Sequence, residues 1–176
     1  MTPPWIDTAR AELARLGLAG WLLYDFRGSN PFAERFLDFG DGLLSRRVFV
    51  LVPASGTPVA LVSALEAGSL QADGFEVRAY ASRASLEARL RELMPDGPLA
   101  MEVSPGGDIP YVSVVDAGTV EMVRAAGGEV VSSAELLQAF AAWDDTRTEQ
   151  HRAAATAVME VLEQAWTFLR EATAAG

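Results

Sequence analysis

Short apolar segments alternate with segments of helical periodicity along the second half of the chain, and this alternation limits the possible folds more than any other feature. Strand-like segments at residues 76–80, 99–103 and 129–131 are separated by helical ones at 85–93 and 115–126. Strands separated by helices of this length pair in parallel through crossover connections. The second half therefore predicts parallel strands covered by helices.

The first half of the chain predicts antiparallel pairing instead. Residues 47–52 and 58–62 are apolar and flank Ala54-Ser55-Gly56-Thr57, which is a hairpin signature. A further buried strand is expected at 20–24, after a helix that Gly17 ends. The predicted fold class is α/β, a mixed six-stranded sheet flanked by helices.

Several smaller signals mark the ends of helices. Asp7 is placed to cap the first helix, and Pro31 is placed at the first position of a short helix. Another short helix is expected near residues 65–70. Thr146 and Glu149 have the spacing of a capping box at the start of the last helix.

The last helix is predicted over residues 146–172, where no glycine or proline interrupts the pattern. It would be about 40 Å long, and its apolar arc of roughly 200° is wider than contact with one surface needs. The helix either crosses the core of its own sheet or needs a second domain or a dimer partner. We expect domains at 1–145 and 146–176, the second being a connecting helix.

Composition excludes several classes of partner and chemistry. Acidic residues number 24 against 14 Lys plus Arg, so the formal net charge is −10 and nucleic acid is not expected to bind. The chain has no cysteine, which excludes disulfides and zinc-thiolate sites. No segment has the pattern of a signal peptide or a membrane span, so we expect no membrane partner and a cytoplasmic location.

Catalytic and metal-binding motifs are not found in the sequence. His151 is the only histidine, so a Ser-His-Asp triad or a multi-histidine metal site is not expected. It could join Asp144, Asp145 and Glu149 in a metal cluster, but a packed histidine is the favoured interpretation. We therefore predict no catalytic residue and no metal ligand here.

Two further features have interpretations of their own. Trp21 is expected in the core. The pair Arg46-Arg47, just before an apolar strand, is interpreted as solvated or as part of surface ion pairs, with a substrate role as the alternative.

The order of several segments resembles the N-terminal domain of creatinase/prolidase-type peptidases. They are residues 24–31, 46–66, 108–119 and 129–136, and residues 151–154 are similar to the start of the helix that leads into the family's catalytic domain. The resemblance covers nearly the whole chain. It implies a ribonuclease-H-like α/β domain.

The same resemblance implies what the parent protein would do. A following pita-bread domain would hold two divalent metal ions through two Asp, one His and two Glu, and would hydrolyse Xaa-Pro bonds as a dipeptidase or aminopeptidase. This chain alone would not be an enzyme and would hold no cofactor. It would form a homodimer and restrict access to small proline-containing peptides.

The residues expected to serve as gates are Phe26, Arg27 and Asn30. Arg27 could bind a peptide carboxylate and Phe26 could form an apolar wall. Alternatively, Arg27 pairs locally and Asn30 caps the helix that begins at Pro31, which is the stronger interpretation for Asn30. The resemblance also leaves open a stand-alone binding or dimerisation module and the N-terminal domain of a creatinase-like amidinohydrolase.

Overall fold

The structure, a computed structural model, describes residues 3–37, 45–68 and 74–174. The chain divides into two units, Met1–Phe140 and Ala141–Gly176. The predicted boundary between residues 145 and 146 falls inside the second unit and stays a prediction.

The first unit contains a mixed sheet of six strands among its described residues. They are β1 (Gly20–Asp25), β2 (Val48–Pro53), β3 (Val59–Ser63), β4 (Glu76–Tyr80), β5 (Pro98–Met101) and β6 (Glu129–Ser132). Their order across the sheet is β4-β3-β2-β1-β5-β6. The pairs β1–β2 and β2–β3 are antiparallel, and the pairs β1–β5, β3–β4 and β5–β6 are parallel. The predicted hairpin, parallel crossovers and mixed sheet are confirmed.

Five helices belong mainly to this unit. They are α1 (Trp5–Leu16), α2 (Pro31–Phe36), α3 (Arg83–Leu93), α4 (Ala117–Ala125) and α5 (Ala134–Ala141), with short 3-10 turns at Pro105–Gly107 and Pro110–Val112. From β4 to β6 every predicted element is present within two residues of its expected bounds. Residues 64–68 form turns, and the rest of the short helix expected near 65–70 lies outside the described residues.

The core consists of two apolar clusters, one on each face of the sheet. Consecutive residues of a strand point to opposite faces. Trp21 and Leu23 pack in one cluster with residues of α1, α2 and α5, whereas Leu22 and Tyr24 pack in the other with residues of α3 and α4. Because both faces of β1 are covered, all six of its residues are buried and the strand shows no polar alternation.

Two predicted helix caps are wrong. α1 begins at Trp5 with Pro4 as the N-cap residue, so Asp7 lies in the first turn, where its charge favours the positive end of the helix dipole. At the last helix, the Asp144 carboxylate accepts a hydrogen bond from the Arg147 amide at 2.7 Å, so Asp144 rather than Thr146 is the cap. Gly17 ends α1 with a φ of 66°, as predicted.

Like β6 at the opposite edge of the described sheet, the edge strand β4 has no buried residue. On it Arg78 Nε lies 2.7 Å from Glu76 Oε1, an ion pair along the strand rather than across it. Val77, between them, is 42% exposed. One edge of the sheet is therefore charged and open to solvent.

The second unit consists mainly of one long helix, α6 (Asp145–Ala174), which confirms the prediction for residues 146–172. No described residue of α6 is buried. Its exposed large apolar side chains are Val158, Met159, Val161, Leu162, Trp166, Phe168 and Leu169. In the described part of the chain, no helix is both long and apolar enough to span a bilayer.

Gly20 provides a test of how closely the central strands approach each other. A Cβ atom there would lie 2.9 Å from Leu51 Cδ1 and 3.1 Å from the Val52 carbonyl oxygen. Because the backbone oxygen cannot move away freely, Gly20→Ala should lower the free energy of unfolding by about 1–3 kcal/mol in urea denaturation. Gly68→Ala is the control, since nothing lies within 4 Å of its Cβ position. Equal effects from the two changes would contradict the close approach.

Candidate functional site

Strand direction brings several chain segments together at one edge of the sheet, the one formed by strand ends. β1, β3 and β4 all end there, and β2 begins there, because Asp25 pairs with Val48 and Ser63 pairs with Tyr80. Loops that follow the carboxyl ends of strands are where α/β proteins commonly bind ligands. The loop after β1, the arginines before β2 and the start of α3 therefore lie close together.

The loop after β1 is exposed and has an unusual backbone. Phe26, Arg27, Gly28 and Ser29 are all exposed. Arg27 has a φ of 62° and Gly28 a φ of 70°, so two successive residues are left-handed, and the first of them is not glycine. Such a conformation costs about 1–3 kcal/mol for a residue with a side chain and persists only where its surroundings impose it.

Asp25 is the residue that holds this loop. Its side chain is buried, and its two carboxylate oxygens accept hydrogen bonds from the Gly28 and Asn30 amides, each at 2.9 Å. Bonds from backbone amides to a carboxylate are short and strong. The buried Asp25 carboxylate therefore fixes the backbone of the loop. That backbone in turn sets the positions of the Phe26 and Arg27 side chains.

Asn30 is fully buried, and all its polar atoms are used within the fold. Oδ1 accepts from the amides of Phe32 and Ala33, at 3.0 and 3.3 Å, which caps α2 as the stronger interpretation predicted. Nδ2 donates to the Tyr24 carbonyl at 2.7 Å and to Glu102 Oε2 at 2.9 Å. Asn30 has no polar atom left for a ligand in this conformation, so a gating role for the loop would depend on Phe26 and Arg27.

Glu102 is an important residue that the sequence does not reveal. It follows β5, is fully buried, and accepts from Trp21 Nε1 at 2.6 Å as well as from Asn30. Burial raises the pKa of Glu102 to about 7, and hydrogen bonds from Trp21, Asn30 and Ser133 oppose the shift. The Ser133 hydroxyl is also buried and has no hydrogen-bond partner of normal geometry among the described residues.

A cleft of about 410 Å³ lies beside the loop, and Phe26 forms part of its wall. Its lining also includes Arg46, Arg47, Tyr80 and Arg83. Three guanidinium groups thus line one cleft of a chain whose formal net charge is −10. Arg27 is not among the lining residues.

The three arginines differ in how their charges are paired. Arg46 lies 3.4 Å from Glu66 and Arg83 lies 2.9 Å from Glu87, which are partly exposed ion pairs. Arg47 has no carboxylate within salt-bridge distance among the described residues. The predicted ion pairing is confirmed for Arg46, while Arg47 forms no such pair with a described residue.

Arg47 instead contacts an aromatic ring. Its guanidinium lies 5.7 Å from the centre of the Phe26 ring, within the range of a cation–π interaction. Its Nε is buried and has no hydrogen-bond partner in the described part of the structure. The Tyr80 hydroxyl donates to the Arg47 carbonyl at 2.8 Å and fixes the backbone at this point.

His151 is exposed on α6, and its ring lies 4.7 Å from that of Trp143. The favoured interpretation, a packed or hydrogen-bonded histidine, stays a prediction, because the side chain is exposed apart from this contact. No group of three or more His, Cys, Asp or Glu side chains that could hold a metal ion is present in the described ranges.

Comparison with solved structures identifies the fold. The chain superimposes on the creatinase/prolidase N-terminal domain of an Xaa-Pro dipeptidase from Streptococcus pyogenes with a TM-score of 0.57 and 14% identity, covering 78% of this chain and 98% of that one. For prolidase from Thermococcus sibiricus the TM-score is 0.60 at 15% identity, covering 92% of this chain and 42% of that one. For a dipeptidase from Mycobacterium ulcerans it is 0.52 at 21% identity, covering 76% and 34%.

These matches establish an α/β domain of the creatinase/prolidase N-terminal type, as the resemblance in sequence predicts. No protein-family model matches the sequence, and no curated protein matches it either. The chain spans less than half the length of the prolidase from Thermococcus sibiricus and of the dipeptidase from Mycobacterium ulcerans.

The importance of Asn30 for the fold can be tested by truncating its side chain. Asn30→Ala removes the cap of α2 and the Nδ2 donor to the Tyr24 carbonyl and Glu102 Oε2, so we expect a loss of about 2–4 kcal/mol of stability. Chemical denaturation measures the change. Ser29→Ala, at the exposed neighbouring position, should change stability by less than about 0.5 kcal/mol. A similarly small effect at Asn30 would show that its bonds contribute little.

The buried Glu102 carboxyl makes a prediction about pH. Its folded pKa is about 7, above the ordinary 4.5, so between these values the folded state holds a proton that the unfolded state has lost. This contribution to stability is complete below pH 4.5 and is lost as the pH rises through 7. The stability of the wild type relative to Glu102→Gln should fall over that window by at most roughly 3 kcal/mol. A difference that does not depend on pH would contradict the prediction.

Proposed function

We propose that this chain is the non-catalytic N-terminal domain of a metal-dependent Xaa-Pro dipeptidase or aminopeptidase. The observation that carries the proposal is the fold shared with such a domain from Streptococcus pyogenes over 98% of that domain's length. On this proposal, the two metal ions and the hydrolytic residues belong to a catalytic domain that follows Gly176. The chain itself would contribute dimer contacts and control of access, in the cytoplasm.

The exposed loop and the cleft beside it support the gating part of the proposal. A dipeptide carries a free carboxylate, and arginine binds carboxylates bidentately through its planar guanidinium. Arg27 is exposed on the loop, and Arg47 contacts the Phe26 ring and has no carboxylate within salt-bridge distance in the described ranges. Phe26, 39% exposed, would contact the apolar part of a small peptide.

The apolar side chains of α6 support the proposed partners. Trp166 and Phe168 are 57% and 69% exposed, and Leu169 is 49% exposed. A group of exposed large apolar side chains on one helix commonly marks an interface. A catalytic domain that follows the helix is the partner we propose for it, with a homodimer formed through the N-terminal domain.

The function can be tested on the protein as its own cells make it. The natural gene product, supplied with Mn²⁺, Co²⁺ or Zn²⁺ in turn, should release proline from Xaa-Pro dipeptides, whereas residues 1–176 alone should not. A gene product of the same size as this chain, without activity, would favour a stand-alone binding or dimerisation module. Hydrolysis of creatine but not of Xaa-Pro peptides would favour the amidinohydrolase.

Arg27 can be tested in the same protein. Arg27→Ala should raise KM for Xaa-Pro dipeptides about tenfold or more with little change in kcat, because a carboxylate contact made equally in ground and transition state affects binding alone. The effect should shrink for Xaa-Pro amides, which lack the carboxylate. Arg15→Ala, in an exposed pair with Glu12 on α1, is the matched control. Unchanged kinetics in the Arg27 variant would remove this residue from the site.

A further inference from the structure

Glu102 is linked to the exposed loop by an unbroken series of hydrogen bonds. Glu102 Oε2 accepts from Asn30 Nδ2, the Asn30 amide donates to Asp25 Oδ1, and Asp25 Oδ2 accepts from the Gly28 amide, each at 2.9 Å. Glu102, Asn30 and Asp25 are all at most 1% exposed. The series therefore runs from the buried interior to the exposed backbone at Gly28, next to Arg27.

We propose that Glu102 is a positioning residue for the loop that carries Phe26 and Arg27, and that protonation of this single carboxyl weakens its hold on the loop. The link from Glu102 to the loop follows from the contacts alone. Its importance for substrate access rests on the proposed function.

The groups that face Glu102 explain why burial raises the pKa of its carboxyl. They are the Trp21 indole on β1, the Asn30 amide before α2 and the Ser133 hydroxyl before α5, all of them uncharged. Asp25, the other carboxylate of the series, is joined to Glu102 only through Asn30. No positively charged side chain of the described residues compensates the carboxylate, so burial favours its neutral form, in agreement with a pKa of about 7.

Both protonation states can be accommodated, but they bind Asn30 with different strength. A charged carboxylate accepts a stronger hydrogen bond than a neutral carboxyl. The protonated form has an O–H to donate, and Ser133 Oγ, which is buried and has no hydrogen-bond partner in the described part of the chain, can accept it. When Glu102 is protonated, its O–H therefore points towards Ser133 Oγ. The hydrogen bond that Asn30 Nδ2 donates to Glu102 then becomes weaker.

The weaker hydrogen bond between Asn30 and Glu102 affects the cleft through Phe26. This ring lies against the Arg47 guanidinium and forms part of the cleft wall. A loop held less firmly by Asn30 would leave Phe26 and Arg27 less well ordered. Glu102 would in this way act on the cleft without touching a ligand.

Amide and indole NMR signals of residues 1–176 test the proposal without any substrate. Between pH 5 and 8.5, the indole N–H of Trp21 and the backbone amides of Gly28 and Asn30 should shift together with one midpoint near 7. The indole signals of Trp5 and Trp166 should not follow that midpoint, since neither is bonded to Glu102. In Glu102→Gln the common midpoint should be lost.

A second variant breaks the hydrogen bond between Asn30 and Glu102 but leaves Glu102 able to titrate. It also provides a test if Glu102→Gln does not fold. Asn30→Ser keeps an oxygen that can cap α2 but removes the Nδ2 donor. The Trp21 indole should still titrate in this variant, while the Gly28 amide should no longer follow it. Ser29→Ala is the matched control and should leave all these signals coupled.

Two results would overturn the proposal. One is a Trp21 indole that titrates in the wild type while the Gly28 amide stays constant. The other is a Gly28 amide that keeps its midpoint in Glu102→Gln or Asn30→Ser. Because no catalytic readout is involved, either result leaves the proposed peptidase function to its own test.

Discussion

The carboxyl group of Glu102 connects parts of the chain that are far apart in sequence. It accepts hydrogen bonds from Trp21 in the central strand and from Asn30 at the start of α2. Because Asn30 also caps α2 and donates to the Tyr24 carbonyl, the chain's exit from β1 depends on this one buried group. A buried carboxylate without its donors would be strongly destabilised, so these contacts are mutually dependent.

The position of this network is significant within an α/β sheet. β1 and β5 are parallel neighbours, and the chain leaves them on opposite faces, towards α2 after β1 and towards α4 after β5. Such a point commonly forms a crevice that receives a ligand. Here the side chains of Asn30 and Glu102 meet behind the strand ends, and the cleft lies further along the same edge, over β2, β3 and β4.

Much of the fold could be predicted from the sequence, because apolar periodicity and glycine turns are local signals. The hairpin at 47–62, the order of crossovers and the length of α6 are all confirmed. Glu102 could not be found in this way, since a glutamate after a short apolar strand usually lies in a solvent-exposed loop. The one available signal was Trp21, a core tryptophan whose indole N–H needs an acceptor from elsewhere in the chain. At the candidate site, the sequence marked Phe26, Arg27 and the arginine pair, but only the strand register shows that Phe26 and Arg47 meet.

The charged outer strand β4 affects how the molecule behaves in a crowded solution. An edge strand offers unpaired amide and carbonyl groups that can recruit a strand from another molecule and begin aggregation. With Glu76 and Arg78 side by side on β4, an incoming apolar strand would have to strip water from both charges and separate them. The mixed sheet can therefore end in solvent at β4, where this pair of charges opposes growth into larger sheet assemblies.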